Sequence, residues 1–178
     1  MSLAHVILGL LQQQERTGYD LKTECFDQCI AHLWQADQAQ IYRTLEKLEV
    51  QGWITCTVEI QQDRPNRKVY HITQAGVAEL TQWLQTHQPL PILREPLLVQ
   101  LYFAAQLPDD AIIHLLRQEL EARRKKLAEC KAVNVPVLDD STASRQQRIH
   151  QLVLELLTQR EQIQLDWLNR VIEVICTQ

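Results

Sequence analysis

"QAQIYRTLEKLEVQGWI", residues 38–54, is the stretch on which the fold turns. Ile41, Leu45 and Leu48 recur at helical spacing, so an apolar stripe seats a helix on a core. Gln38, Gln40, Tyr42, Arg43 and Lys47 face elsewhere. Gln38 and Gln40 can hydrogen-bond base edges, adenine being a favoured partner of Gln, while Arg43 and Lys47 can meet phosphate or guanine. Tyr42 offers a hydroxyl to phosphate and a ring to a thymine methyl. The N-terminus of such a helix adds free N–H groups and a partial positive charge. Gly52 falls where a left-handed C-terminal cap is expected.

Upstream, "LAHVILGLLQQQ" places Leu3, Val6, Ile7, Leu10 and Leu11 on one side of a first helix ending near Glu15. "TGYDLKTECFDQCIAHLW" reads as a second helix from Thr17 or Gly18, with Leu21, Cys25, Ile30 and Leu33 among its apolar residues. Downstream the period drops to two. In "WITCTVEI", Ile54, Cys56, Val58 and Ile60 form one face of a strand, and after the turn "QQDRPNR" the run "KVYHIT" completes a hairpin. Arg64, Arg67 and Lys68 surround Pro65 and Asn66 at its tip, where basic groups can follow the DNA backbone or enter a minor groove. From Thr73, an N-cap, "QAGVAELTQWL" returns to helix with Val77, Leu80, Trp83 and Leu84 on one side. Three helices, a β-hairpin wing and a linking helix make a winged helix-turn-helix, whose third helix enters the groove.

Three of the six prolines crowd into "HQPLPILREP", residues 87–96, which marks a boundary between domains 1–88 and 89–178. Beyond it the grammar is all helical. "PLLVQLYFAAQL" is a short helix ending before Pro108. A helix over residues 109–132 turns Ile112, Leu115, Leu116, Leu120 and Leu127 inward, and the polar loop "VPVLDDSTAS" leads to a long last helix over residues 144–176. Its positions Ile149, Leu152, Leu156, Ile163, Trp167, Val171 and Val174 approximate a coiled-coil seam, widened by Val153, Leu157, Leu168, Ile172 and Ile175. One shorter partner helix cannot cover two apolar faces, so a second copy of the chain is expected against it. The fold class is mainly α, with an all-α C-terminal dimerisation domain.

At 178 residues and 46% hydrophobic, the chain buries a core sufficient for one average domain or two small ones. No apolar run approaches the roughly 20 residues of a membrane span, and the N-terminus lacks the basic start and cleavage site of an export signal. A cytoplasmic location is expected. The five cysteines are odd in number and scattered, which argues against a disulfide framework. Cys25, Cys29 and His32 share a spacing of four and three, which is not that of a structural zinc site, so the cysteines are expected to be small buried hydrophobes. His5, His71, His87, His114 and His150 show no ligand spacing and are expected to be structural or exposed. No phosphate loop, metal quartet or catalytic triad stands out, so neither an enzyme nor a cofactor is expected.

The charge balance opposes a simple DNA reading. The chain has 18 Lys+Arg against 22 Asp+Glu, and residues 1–88 have seven against ten, a net of −3. Non-specific affinity is therefore expected to be modest, and stable binding to need two half-sites and locally concentrated base. The most basic run, "EARRKK" at residues 121–126, has Glu119 and Glu121 four residues before Arg123 and Lys125, the pairing of a solvated helix face. A winged-helix module for protein assembly, its third helix docked on a protein, is the alternative reading.

These motifs resemble the PadR family of transcriptional regulators along most of the chain. The resemblance rests on "ILGLL", "GYDL", "QIYRTLEKLEVQGWI" and "RKVYHITQAGVAEL", with the long helical second half similar to the family's longer branch. Many members have a glycine just before the third-helix motif, where this chain has "DQA". The resemblance implies a homodimeric repressor on a palindromic double-stranded operator. It implies Tyr19, Tyr42 and the wing-tip bases as DNA contacts. It also implies a small aromatic effector, for which Trp34, Trp83, Tyr102, Phe103 and Trp167 are candidate contacts, although Trp at core spacing is more often packing.

Overall fold

The computed structural model describes residues 2–60, 66–92, 94–133 and 143–177. They divide into two compact units, residues 1–91 and 92–178. The architecture is mainly helical with one small antiparallel sheet: a winged helix-turn-helix followed by a helical domain.

Helix α1 (Leu3–Gln13) starts at Ser2, whose hydroxyl accepts the Ala4 N–H, and buries Ile7, Leu8, Leu10 and Leu11. A two-residue strand β1 (Arg16–Thr17), absent from the sequence reading, follows. Helix α2 begins with a turn at Gly18–Asp20 and continues as a π-helical stretch, Leu21–Cys29. Its i→i+5 bonding puts more residues into each turn than an α-helix holds. Leu21, Cys25 and Phe26 are buried, but the helix ends at Cys29, sooner than expected, so Leu33 lies in the following turn rather than on the same helix face and is 51% exposed.

Helix α3 (Gln38–Val50) fully buries Ile41, Leu45 and Leu48. It closes as a Schellman motif, the Trp53 N–H reaching the Leu48 carbonyl and the Gly52 N–H the Glu49 carbonyl, both at 3.0 Å. Gly52 takes φ +71° to make that turn, as its position predicts. Strands β2 (Ile54–Glu59) and β3 (Arg67–Ile72) pair antiparallel from Ile54↔Ile72 to Glu59↔Arg67, and β1 joins the far side through Arg16↔Tyr70 and Thr17↔Val69. Among the described residues of the hairpin, burial is confined to the part nearer its root. Val58 and Ile60, expected inside, are exposed because the core beneath Ile54 and Tyr70 does not extend that far along the strand.

Helix α4 (Gln74–Gln85) is capped by Thr73, which accepts the Gly76 N–H at 3.1 Å. Leu80 is buried and Trp83 half-buried, but Leu84 is exposed, one residue past the inward stripe. His5 stacks on Trp83 at 4.7 Å and meets Glu79 at 3.2 Å, and His71 bridges Glu15 and Thr57.

In the second unit, α5 (Pro96–Tyr102) ends sooner than expected and gives way to a 3-10 turn, Ala104–Gln106. Helices α6 (Asp109–Ala132) and α7 (Arg145–Cys176) pair along their length around Leu97, Leu116, Leu120, Leu127, Leu165 and Leu168. Ser144 and Gln147 form the capping box that starts α7. Trp167 and Val171 pack half-buried against this core, whereas Ile149, Leu152, Leu156, Ile163 and Val174 lie exposed on α7.

The basic run on α6 is a solvated face except at Arg123, which turns inward, and at the head group of Lys126. Arg123 reaches Glu119 at 2.7 Å, Glu161 at 3.1 Å and Glu95 at 3.6 Å, and Lys126 reaches Glu161 at 2.9 Å. Glu161 is almost wholly buried, so these two cations satisfy a carboxylate inside the helical core. The cysteines divide similarly. Cys25 and Cys130 are buried as expected, Cys56 is intermediate, and Cys29 and Cys176 are exposed because they lie on the outer sides of their helices.

Candidate nucleic-acid interface

The start of α3 is built locally. Asp37 accepts the Gln40 N–H at 2.7 Å, and the Gln40 side-chain oxygen accepts the Asp37 N–H at 3.2 Å. This capping box occupies the acceptor of Gln40, so of the two glutamines expected to read bases only Gln38 keeps its whole amide outside the cap. Arg43 donates from Nε to the Ala39 carbonyl, which lays the guanidinium along its own helix. Lys47 is exposed one turn further on.

Tyr42 lies over the beginning of α2. A Cβ on Gly18 would stand 2.7 Å from the Tyr42 ring, so the tyrosine is seated where only glycine leaves room. Tyr19, next to it, is 64% exposed. The two tyrosines thus belong to adjacent elements, and the glycine of "GYDL" has a physical role in leaving room for the Tyr42 ring.

The wing contributes Arg67 and Lys68; Arg64 lies outside the described residues. Lys68 is exposed on β3 opposite Val58. Arg67 is not free. Its Nη2 donates to Asp20 Oδ2 at 2.7 Å, and that same oxygen accepts the Thr17 N–H at 3.1 Å. The Thr17 hydroxyl in turn accepts the Asp20 N–H at 3.0 Å. Burial alone would raise the Asp20 carboxyl, but the hydrogen bonds with Thr17 and the Arg67 guanidinium outweigh it and hold the group below its ordinary range. No signal in the sequence marks this pair, because its members are 47 residues apart.

The aromatic candidates for an effector fall in both units. Trp34 lines an open groove of about 420 Å³ with Gln40, Arg43 and Lys47, whereas Trp83 is stacked on His5. In the second unit, Tyr102 and Phe103 form an exposed edge-to-face pair, and Trp167 borders a cavity of about 200 Å³ with Glu95, Leu97, Leu98, Ile163 and Gln164. Among the described residues no cluster of His, Cys, Asp or Glu could hold a metal, and no helix is long and apolar enough to cross a membrane.

Comparison with known proteins places both units. Residues 7–82 match the model of the transcriptional regulator PadR-like family, and residues 93–175 that of the virulence activator alpha C-terminal domain. The negative transcriptional regulator PadR of Bacillus subtilis is 31% identical over 97% of each chain. Its crystal structure with operator DNA superposes with a TM-score of 0.83 at 32% identity, covering 97% of this chain and 98% of that one. Its complex with p-coumaric acid gives 0.75 at 30% identity, over 97% and 94%. The virulence activator AphA of Vibrio cholerae gives 0.77 at 28% identity over 99% of each chain.

Proposed function

The chain belongs to the PadR-like family of transcriptional regulators, which bind DNA and are not enzymes, and on that premise we propose that it is a repressor. In this reading a homodimer sits on a roughly palindromic operator in the cytoplasm and is released by a small aromatic effector. The observation that carries it is the seating of α3: its apolar stripe is wholly buried, and Gln38, Tyr42 and Lys47 stand outside it, with Tyr42 against Gly18 at the start of α2. Lys68 and Arg64 on the wing supply phosphate contacts, and Gln40 and Arg43 act through the donors their helix leaves free. The operator complex of the Bacillus subtilis relative supports this use of the fold. Its p-coumaric acid complex supports an effector, and the cavity beside Trp167 is the first place to look for one.

The net negative charge of the first unit makes the prediction specific. Affinity must come from a few local cations, so binding to the DNA upstream of the chain's own gene should fall steeply with salt. Arg64→Ala should lower the slope of log affinity against log salt by roughly 1.8, about 0.9 for each protomer of the dimer, and an aromatic acid of the p-coumaric type should weaken binding. Expression of a reporter under that DNA should rise when the chain is deleted. If no duplex is bound above background at low salt, the protein-assembly reading replaces this one.

A further inference from the structure

We infer that Asp20 is a positioning residue for DNA binding, and that Arg67 serves as its partner in holding the wing rather than as a phosphate contact. The inference rests on the DNA-binding reading above and deepens it. Residues 17–20 form a hub to which both DNA-facing elements are referenced. The recognition helix reaches it through Tyr42, whose ring lies against Gly18. The wing reaches it twice, through the backbone pair Thr17↔Val69 and through Arg67 on Asp20. The hub is itself rigid, because Thr17 and Asp20 cap one another in both directions.

The surroundings of Arg67 favour this role. Its cross-strand partner is Glu59, so the guanidinium has acid opposite it as well as at Asp20. Phosphate would have to displace a carboxylate that already holds a 2.7 Å charge-assisted bond. Lys68, one residue on, forms no ion pair among the described residues and stays exposed for the backbone. Ordering the wing before DNA arrives lowers the conformational cost of binding, which is how a residue that touches no DNA adds affinity.

The test uses the full-length protein on the upstream duplex, titrated at several salt concentrations. Asp20→Asn keeps an acceptor for the Thr17 N–H but removes the charge. It and Arg67→Ala should each weaken binding by about tenfold, and the double variant should be no weaker than the worse single one. The salt slope should stay at the wild-type value, Arg67→Lys should recover most of the affinity, and hydroxyl-radical protection should fade under the wing while persisting under α3. A slope lowered by roughly 1.8 in Arg67→Ala, about 0.9 for each protomer, would make Arg67 a phosphate contact and overturn the inference. Tighter binding by Asp20→Asn would overturn it too, since Asp20 would then be a competitor of DNA. Should Asp20→Asn lose its fold by circular dichroism, Arg67→Ala on its exposed wing base decides the matter. Failure of the wild type to bind removes the proposed function and this inference together, whereas wild-type binding with either contrary result removes this one alone.

Discussion

Two glycines with the same local appearance do different things. At Gly76 an added Cβ would stand 2.1 Å from the Trp53 carbonyl oxygen, a backbone atom held by the Thr73 N–H at 2.9 Å. At Gly18 it would meet the far end of the Tyr42 side chain, which can swing toward solvent. Gly76→Ala should therefore cost about 3 kcal/mol, the upper end for overpacking, while Gly18→Ala should cost less than about 1 kcal/mol yet weaken DNA binding by displacing Tyr42. Urea denaturation of the two variants checks the ranking, and equal costs would refute it. Caps such as Thr73 and Gly52 were legible in sequence because they act on neighbours a few residues away. The clearance at Gly18 was not, since it depends on a ring 24 positions further on.

Among the elements, the pairing of α6 with α7 shows most clearly what periodicity misses. Leu116, Leu120 and Leu127 announced the inner face of α6, but Arg123 sits within that same stretch and its charge suggested solvent. Its partners Glu161 and Glu95 come from other elements, so the i, i+4 pair with Glu119 was the only part visible locally. Burial raises the Glu161 carboxyl, but hydrogen bonds from Lys126 and Arg123 more than offset this and hold it below its ordinary 4.5. The folded state thus binds this proton less readily than the unfolded state does. Its stabilising contribution is complete above about pH 4.5 and is lost as the pH falls through the lower, folded value. Thermal melts should show the helical unit weakening on that acid limb, and Glu161→Gln should flatten it. Arg123→Met leaves the carboxylate to Lys126 alone and should cost about 3 kcal/mol at neutral pH. A melt unchanged by Arg123→Met would mean that water replaces the guanidinium.

For the molecule as a whole, the unanswered surface is on α7. Leu154, Leu165 and Leu168 are buried, while Ile149, Leu152, Leu156 and Ile163 remain 49–68% exposed in a single chain. A row of aliphatic side chains along a 32-residue helix is the kind of face a second copy covers. Leu152→Glu with Leu156→Glu should convert a species of twice 20.8 kDa into one of 20.8 kDa in sedimentation equilibrium. These positions are a cleaner choice than Trp167, which also packs within its own unit, so that its loss would mix folding with assembly. An unchanged dimer would move the seam elsewhere.

The amino-acid sequence by itself determined the winged helix-turn-helix, the seat of α3, the caps and the helical second half. Each of these follows from spacing over one or two turns or from a residue acting on its near neighbours. Tertiary structure alone decided the π-helical course of α2, the third strand, the pairing of Arg67 with Asp20 and the addition of Glu161 to the Glu119 partner of Arg123. Charge in a sequence says that a counter-charge is wanted. Which one is supplied depends on contacts 47 and 38 residues apart, and only the folded chain brings those within hydrogen-bonding distance.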